Sequence, residues 1–89
     1  MDAELSVEIS ARMHLLACAV PGVLGTHDLR TRISGTRWFV QLHLELPNEM
    51  PLVQVHELCE QVEQAIQAEF PQAEVLVHPD PQSVLPAAT

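Results

Sequence analysis

Basic residues are scarce in this sequence. Its 89 residues include four Lys and Arg against twelve Asp and Glu, which gives a formal net charge of -8 at pH 7. A chain of this charge repels nucleic-acid phosphates and anionic membrane surfaces. Aromatic residues make up 3% of the chain and Tyr is absent, too few for a platform that stacks bases. A nucleic-acid partner is therefore not expected.

Long apolar runs are also lacking. The longest unbroken run extends from Leu15 to Val20 and ends at Pro21, whereas a helix that spans a bilayer needs roughly 20 apolar residues. Met1 is followed by acidic residues and not by the basic segment that begins a secretory signal peptide. We therefore expect a soluble, cytoplasmic chain without direct membrane insertion.

Cysteine and glycine are too few for several other classes of protein. The two Cys, Cys18 and Cys59, lie in apolar stretches of predicted helices, which favours free thiols in a reducing compartment over a disulfide framework. The three Gly form no phosphate-binding loop. No Ser stands in the context of a hydrolase nucleophile, so an enzyme is not expected.

The hydrophobic residues, 47% of the chain, recur with clear periods. Residues 3–20 are predicted to form a first helix that Pro21 and Gly22 end. A second helix is predicted from the Pro47–Pro51 region, with Pro51 in its first turn, to about Glu69. The first apolar stripe comprises Leu5, Ile9, Met13, Leu16 and Val20. The second comprises Leu52, Val55, Cys59, Val62, Ile66 and Phe70.

Alternation predicts the strands. Residues 37–46 place Trp38, Val40, Leu42, Leu44 and Leu46 on one face, as in a sheet that is covered on one side. A strand at about 27–34 precedes it, and a third opens at Val75 and ends near Asp80 and Pro81.

The order helix, strand, strand, helix, strand predicts an α+β two-layer sandwich, with two helices on one face of a three-stranded sheet. The length suits one domain. We assign residues 1–86 to a single metal-binding domain and 87–89 to a flexible tail, and we expect poor order from Pro81 onward.

Five His in so small a domain favour metal binding. His43 lies on the polar face of its predicted strand, and His78 and Asp80 share a face if the third strand continues through them. An imidazole beside a carboxylate can hold a divalent ion. Pro79 and Pro81 stiffen the backbone around Asp80. This site requires the two strands to be neighbours, which the sequence leaves open.

The other histidines are less constrained. His27 shares its alternation with the inward-facing Leu29 and Ile33, so we place it at the start of the strand, free to turn toward the polar face. His56 lies on the flank of the second apolar stripe, suited to a ligand that reaches a neighbour. His14 is interpreted as a surface residue, and Cys59, three residues after His56, as a core residue.

Six segments together resemble the cytoplasmic C-terminal domain of cation diffusion facilitator transporters, most closely the bacterial zinc and iron efflux branch. The resemblance covers roughly Val20 to Pro86. The segments are Val20–Val23, His27–Arg32, Gln41–Glu45, Pro51–His56, Val62–Ile66 and His78–Pro81.

This resemblance implies a metallochaperone-like (ferredoxin-like) α-β-β-α-β fold and a V-shaped homodimer. It implies a metal site, commonly a two-metal zinc cluster, whose ligands are His27, His43, His56, His78 and Asp80. Asp80 is the candidate bridge between two ions, and His56 a candidate ligand across the dimer interface. Zn²⁺ is the expected ion, with Fe²⁺, Cd²⁺, Co²⁺, Ni²⁺ and Mn²⁺ as alternatives.

The family's transport site lies in transmembrane helices that this sequence does not include, so the chain does not move ions by itself. As part of a longer transporter it would work at the cytoplasmic face of the inner or plasma membrane, and metal binding would close the dimer. Two alternatives stay open: a stand-alone soluble metal carrier, and a dimerisation module without metal sensing.

Overall fold

The computed structural model describes residues 3–84. The elements are α1 (Val7–Cys18), β1 (Gly25–Ser34), β2 (Arg37–Leu46), α2 (Leu52–Glu69), β3 (Ala73–Pro81) and a 3-10 turn over Gln82–Val84. The sheet order is β1-β2-β3, with β1 antiparallel and β3 parallel to β2. The predicted α-β-β-α-β sandwich is confirmed, and β2 and β3 are neighbours.

The first helix is shorter than the predicted 3–20. Ser6 has an extended backbone, and its side chain accepts a hydrogen bond from the Ile9 amide, which is the geometry of a helix N-cap. Ala3 instead forms an isolated antiparallel bridge with Ile33. Ala3 therefore extends the edge of the sheet, because its backbone groups pair with Ile33 of β1.

The buried face of α2 differs from the predicted stripe at two leucines. Leu58 is 5% exposed and Leu52 is 83% exposed, so the prediction for Leu52 is wrong. Leu58 packs so close to Gly22 that a Cβ on Gly22 would lie 3.0 Å from Leu58 Cδ1, and Gly22 has a φ of +101°. Because Leu58 packs against this turn, the buried face of α2 consists of Leu58, Val62 and Ile66.

A β-bulge resolves the position of His27. His27 pairs with His43, whereas Arg30 pairs with Gln41, so β1 carries one extra residue between the two pairs. Asp28 in the bulge has a φ of +53°, a region that Asp tolerates better than most residues. The extra residue leaves His27 beside His43 on the open face, while Leu29 and Ile33 pack against the core.

The core lies between the helices and one face of the sheet. β2 contributes Val40, Leu42, Leu44 and Leu46, each at most 2% exposed, as its alternation predicted. The helices contribute Met13, Ala17, Leu58, Val62 and Ile66. The opposite face of the sheet, called here the open face, carries the polar residues of β2.

The residues that directly follow Asp80 differ from the prediction. Pro81 belongs to β3, and the Ser83 amide donates a hydrogen bond to Asn48 Oδ1 at 2.9 Å. Poor order from Pro81 onward was therefore wrong for residues 81–83, because this contact ties them to the β2–α2 connection. The tail predicted at 87–89 lies outside the described residues. Within residues 3–84, neither helix is long and apolar enough to cross a membrane.

Candidate metal centre

Three histidines form a row across the open face. His27 of β1 is in register with His43 of β2, which is in register with His78 of β3. The ring centroids of His27 and His43 are 5.1 Å apart, and those of His43 and His78 are 4.9 Å apart. The bulge in β1 and the parallel pairing of β2 with β3 together produce this row.

Asp80 lies beside the row, two residues after His78 on β3. Its Oδ2 atom is 2.9 Å from His43 Nδ1 and 3.2 Å from His27 Nε2. The side chains of His43 and Asp80 are 24% and 25% exposed. One carboxylate oxygen therefore meets two imidazole nitrogens in a partly desolvated place, where such contacts are stronger than in water.

These donors fit a divalent cation. His27, His43 and Asp80 each offer one ligand atom, and the three atoms lie within 4.8 Å of one another. Zn²⁺ with ligand bonds of about 2.1 Å keeps neighbouring ligand atoms about 3.0–3.4 Å apart in octahedral or tetrahedral geometry. Of the two separations at Asp80 Oδ2, 3.2 Å lies within this range and 2.9 Å lies just below it.

Two buried ring nitrogens of the histidine row have no hydrogen-bond partner among the described residues. They are His27 Nδ1 and His78 Nε2. A buried polar atom without a partner costs free energy, and an imidazole nitrogen is the most frequent nitrogen ligand of transition metals. His27 faces Asp80 through Nε2 and not Nδ1, so of these two atoms His78 Nε2 is the candidate further donor beside the cluster.

Asp28 adds charge to the site and was not singled out from the sequence. Its Oδ2 atom lies 3.8 Å from His43 Nε2. The hydrogen bond from Arg30 Nε lowers the pKa of Asp28 below its ordinary value, with His43 and His27 as smaller causes in the same direction. In the sequence, strict alternation would place His27 on the same inward face as Leu29, and this conflict was a sign of an irregular strand. The bulge that resolves the conflict also brings Asp28 to this site.

The remaining predicted ligands lie apart from this group. His56 on α2 has a side chain that is 71% exposed, and its Nε2 is 2.7 Å from Glu60 Oε1. It is not part of the three-residue cluster found among the described residues. His78 stacks on His43, but its nitrogens are outside that cluster as well. One chain therefore gathers His27, His43 and Asp80, with His78 adjacent.

Two helices over a three-stranded sheet, with a histidine and carboxylate cluster on the open face, define a metallochaperone-like domain with a candidate cation site. The family model described as the cytoplasmic domain of cation efflux proteins matches residues 5–82. The chain belongs to this family, and the resemblance seen in the sequence is confirmed.

Curated relatives agree with this assignment. The cation-efflux pump FieF of Klebsiella pneumoniae is 48% identical over 88 residues, which cover 99% of this chain and 29% of the pump. The FieF pump of Serratia proteamaculans is 61% identical over 66 residues, covering 74% of this chain and 22% of the pump. The chain thus spans less than a third of the length of the relatives it matches.

Solved structures share the fold. The MamM C-terminal domain spanning residues 215–293 of that protein has a TM-score of 0.78 at 28% identity, covering 83% of this chain and 95% of that chain. A nickel form of a MamM C-terminal-domain variant has a TM-score of 0.80 at 27% identity, covering 85% and 98%. The chain is therefore similar to these MamM C-terminal-domain structures over most of their length.

Proposed function

We propose that this domain binds a divalent cation, Zn²⁺ first, through His27, His43 and Asp80, and that binding regulates a cation efflux transporter. The observation that carries the proposal is the convergence of His43 and His27 on a single oxygen of Asp80. A carboxylate oxygen held between two imidazoles is suited to bridge or complete a metal site, because each group is a ligand of borderline divalent ions.

The ligand set is completed by His78 and by His56 from a second copy of the chain. His78 is adjacent to His43 and has a buried nitrogen without a partner in residues 3–84. His56 is exposed on α2, outside the cluster of its own chain, so a ligand role for it requires another protomer. His78 is the proposed further ligand, either of the same ion or of a second ion bridged by Asp80.

Metal binding favours a closed homodimer for an electrostatic reason. Each chain carries a formal charge of -8, so two copies repel each other most strongly where their carboxylates approach. A divalent ion neutralises part of this charge and links ligands of both copies. By mass action, an ion at about 100 times its dissociation constant stabilises the state that binds it by about 2.7 kcal/mol.

In a full transporter, this closure would act on the membrane-embedded domain. The domain then reports the cytoplasmic level of the ion, and export is favoured when the site is filled. The name of the relatives, cation-efflux pump, supports this role. Zn²⁺ is preferred here, with Fe²⁺, Co²⁺, Ni²⁺, Cd²⁺ and Mn²⁺ as competing ions, because histidine and carboxylate ligands accept all of them.

A calorimetric zinc titration of the chelator-treated chain tests the site. We expect one or two ions per chain, with binding weakened by about tenfold or more in Asp80→Asn and His43→Ala. Glu74→Gln is the matched control, because Glu74 lies on the same strand and pairs with Arg37 instead; its affinity should match that of the parent. A parent chain that binds no zinc overturns the proposal.

Sedimentation velocity with zinc and with chelator tests the dimer. We expect zinc to shift the chain toward a more compact dimer, and His56→Ala to reduce this shift while leaving part of the zinc binding. Equal dimerisation in chelator would instead identify a dimerisation module. Zinc binding by a persistent monomer would identify a metal carrier.

A further inference from the structure

A second group of donor atoms lies on the helix side of the sheet, at the C-terminal end of α1. His14 and Cys18 are one helical turn apart, and His14 Nε2 is 3.7 Å from Cys18 Sγ. Residues four apart on a helix share a face. His14 is exposed and Cys18 is half-buried, so the pair is open to ions and water.

Thr26 orients the imidazole of this pair. Its Oγ1 atom is hydrogen-bonded to His14 Nδ1, which connects α1 to the first residues of β1. When Nδ1–H donates to Thr26, the Nε2 atom carries a lone pair that faces the sulfur of Cys18. Ligating histidines are held in this way by a partner on the other ring nitrogen, which fixes both the tautomer and the ring.

The spacing of the two donors fits one metal ion. Zn–S bonds of about 2.3 Å and Zn–N bonds of about 2.05 Å at a tetrahedral angle place the two ligand atoms about 3.6 Å apart. The observed 3.7 Å is close to this value without any movement of the helix. Water can fill the remaining coordination positions because the pair is not enclosed.

We propose that His14 and Cys18 form a second metal site, selective for thiophilic divalent ions such as Cd²⁺ and Zn²⁺, with Thr26 as its positioning residue. On binding, the Cys18 thiol loses its proton to solvent and the sulfur bonds to the ion. A thiolate with an imidazole selects softer ions than the nitrogen and oxygen donors of the open-face cluster. The two sites of this domain are therefore expected to prefer different metal ions.

The two sites lie on opposite faces of β1. Thr26 bonds to His14 on the helix side, while its neighbour His27 faces His43 on the open side. Successive side chains of a strand point to opposite faces, so the sites share a strand but no ligand. Loss of either site by mutation should therefore leave the other able to bind.

A cadmium titration followed by ultraviolet absorption tests the proposal. Thiolate-to-cadmium charge transfer gives a band that His27, His43 and Asp80 cannot produce, because they contain no sulfur. We expect a saturable band at one Cys per ion that is lost in Cys18→Ser and retained in Cys59→Ser. Asp80→Asn should also retain the band. The absence of this second site can therefore be distinguished from the absence of the open-face site.

The role of the histidine is tested with Cys18 in place. His14→Ala should weaken cadmium binding by about tenfold or more, and Thr26→Val by about tenfold, with the band still present at saturation. Far-ultraviolet circular dichroism confirms that each variant is folded. A band that is absent from the parent, that persists in Cys18→Ser, or that titrates equally in His14→Ala overturns the proposal.

Discussion

Asp80 Oδ2 lies 2.9 Å from His43 Nδ1, although Asp80 is in register with Glu45 and not with His43. The contact is therefore diagonal across the parallel pair β2 and β3. Diagonal neighbours on one face of a sheet are within reach of such side chains. Because backbone pairing holds both residues, the donors of the candidate cation site are brought together before any ion binds.

The charge of Asp28 should strengthen cation binding on the open face. Asp28→Asn is expected to weaken zinc binding by about fivefold or less, since a unit charge about 4 Å from a ligand is screened by water. Asn also tolerates the positive φ of this position, so the fold is kept. Calorimetry measures the change, with the exposed Glu49→Gln as control. Unchanged zinc affinity in Asp28→Asn would show that the charge of Asp28 does not contribute to cation binding.

Leucines at two positions of α2 should differ sharply in their contribution to stability. Leu58→Ala is expected to lower the free energy of unfolding by about 2–5 kcal/mol, because it leaves a cavity in the core. Leu52→Ala should change it by less than about 0.5 kcal/mol, since its side chain is exposed. Chemical denaturation measures both. Similar losses for the two variants would contradict the packing described for α2.

The ion pair between α1 and α2 should make stability depend on pH. Arg12 binds Glu69 through two hydrogen bonds of 2.6 and 2.7 Å, and the bond from Arg12 lowers the pKa of Glu69 below its ordinary value of 4.5. The stabilisation is complete above this ordinary pKa and is lost as pH falls through the lower pKa of the folded state.

Thermal unfolding of the parent and Arg12→Gln across this pH range measures the effect. The parent should melt slightly higher at neutral pH, and the difference should vanish under acidic conditions and shrink in high salt, because both side chains are largely solvated. A difference in melting temperature that is constant with pH would indicate packing by the Arg12 side chain and not charge pairing.

Cys59 should react slowly as a thiol. Burial, and to a smaller extent the charge of Glu63, raises the pKa of the Cys59 thiol above its ordinary value, which lowers the thiolate fraction at neutral pH. Alkylation of Cys18→Ser, which retains only Cys59, should be slower than that of an unstructured cysteine peptide. Urea should abolish the difference, and an equal rate in the folded state would count against it.

The sequence predicted the sheet better than the edges of the helices. The alternation of 37–46 matched β2 over its whole length, because one face of that strand is fully covered by the helices. The start of α1 was missed because Ala3 pairs with Ile33, a contact between residues far apart in sequence. The choice between Leu52 and Leu58 depended on the turn at Gly22, which periodicity along one helix does not contain.

The candidate site was predictable only in part, for a similar reason. The pairing of His43 with His78 and Asp80 followed once β2 and β3 were neighbours. His27 could not be assigned to a face from alternation, because the bulge at Asp28 shifts the strand by one residue. The hydrogen bond between Thr26 and His14 joins a strand to a helix, so it could not be predicted from the pattern of either element. Without it, His14 resembled an ordinary surface histidine.

Because β3 pairs with β2 across the intervening helix α2, the residues of the open face are synthesised at different times. During synthesis, His27 and His43 emerge before α2, whereas Asp80 follows only after that 18-residue helix. A growing chain thus carries two imidazoles without their carboxylate until β3 docks. The three donors of the proposed cation site can therefore come together only after β3 has been synthesised and has paired with β2.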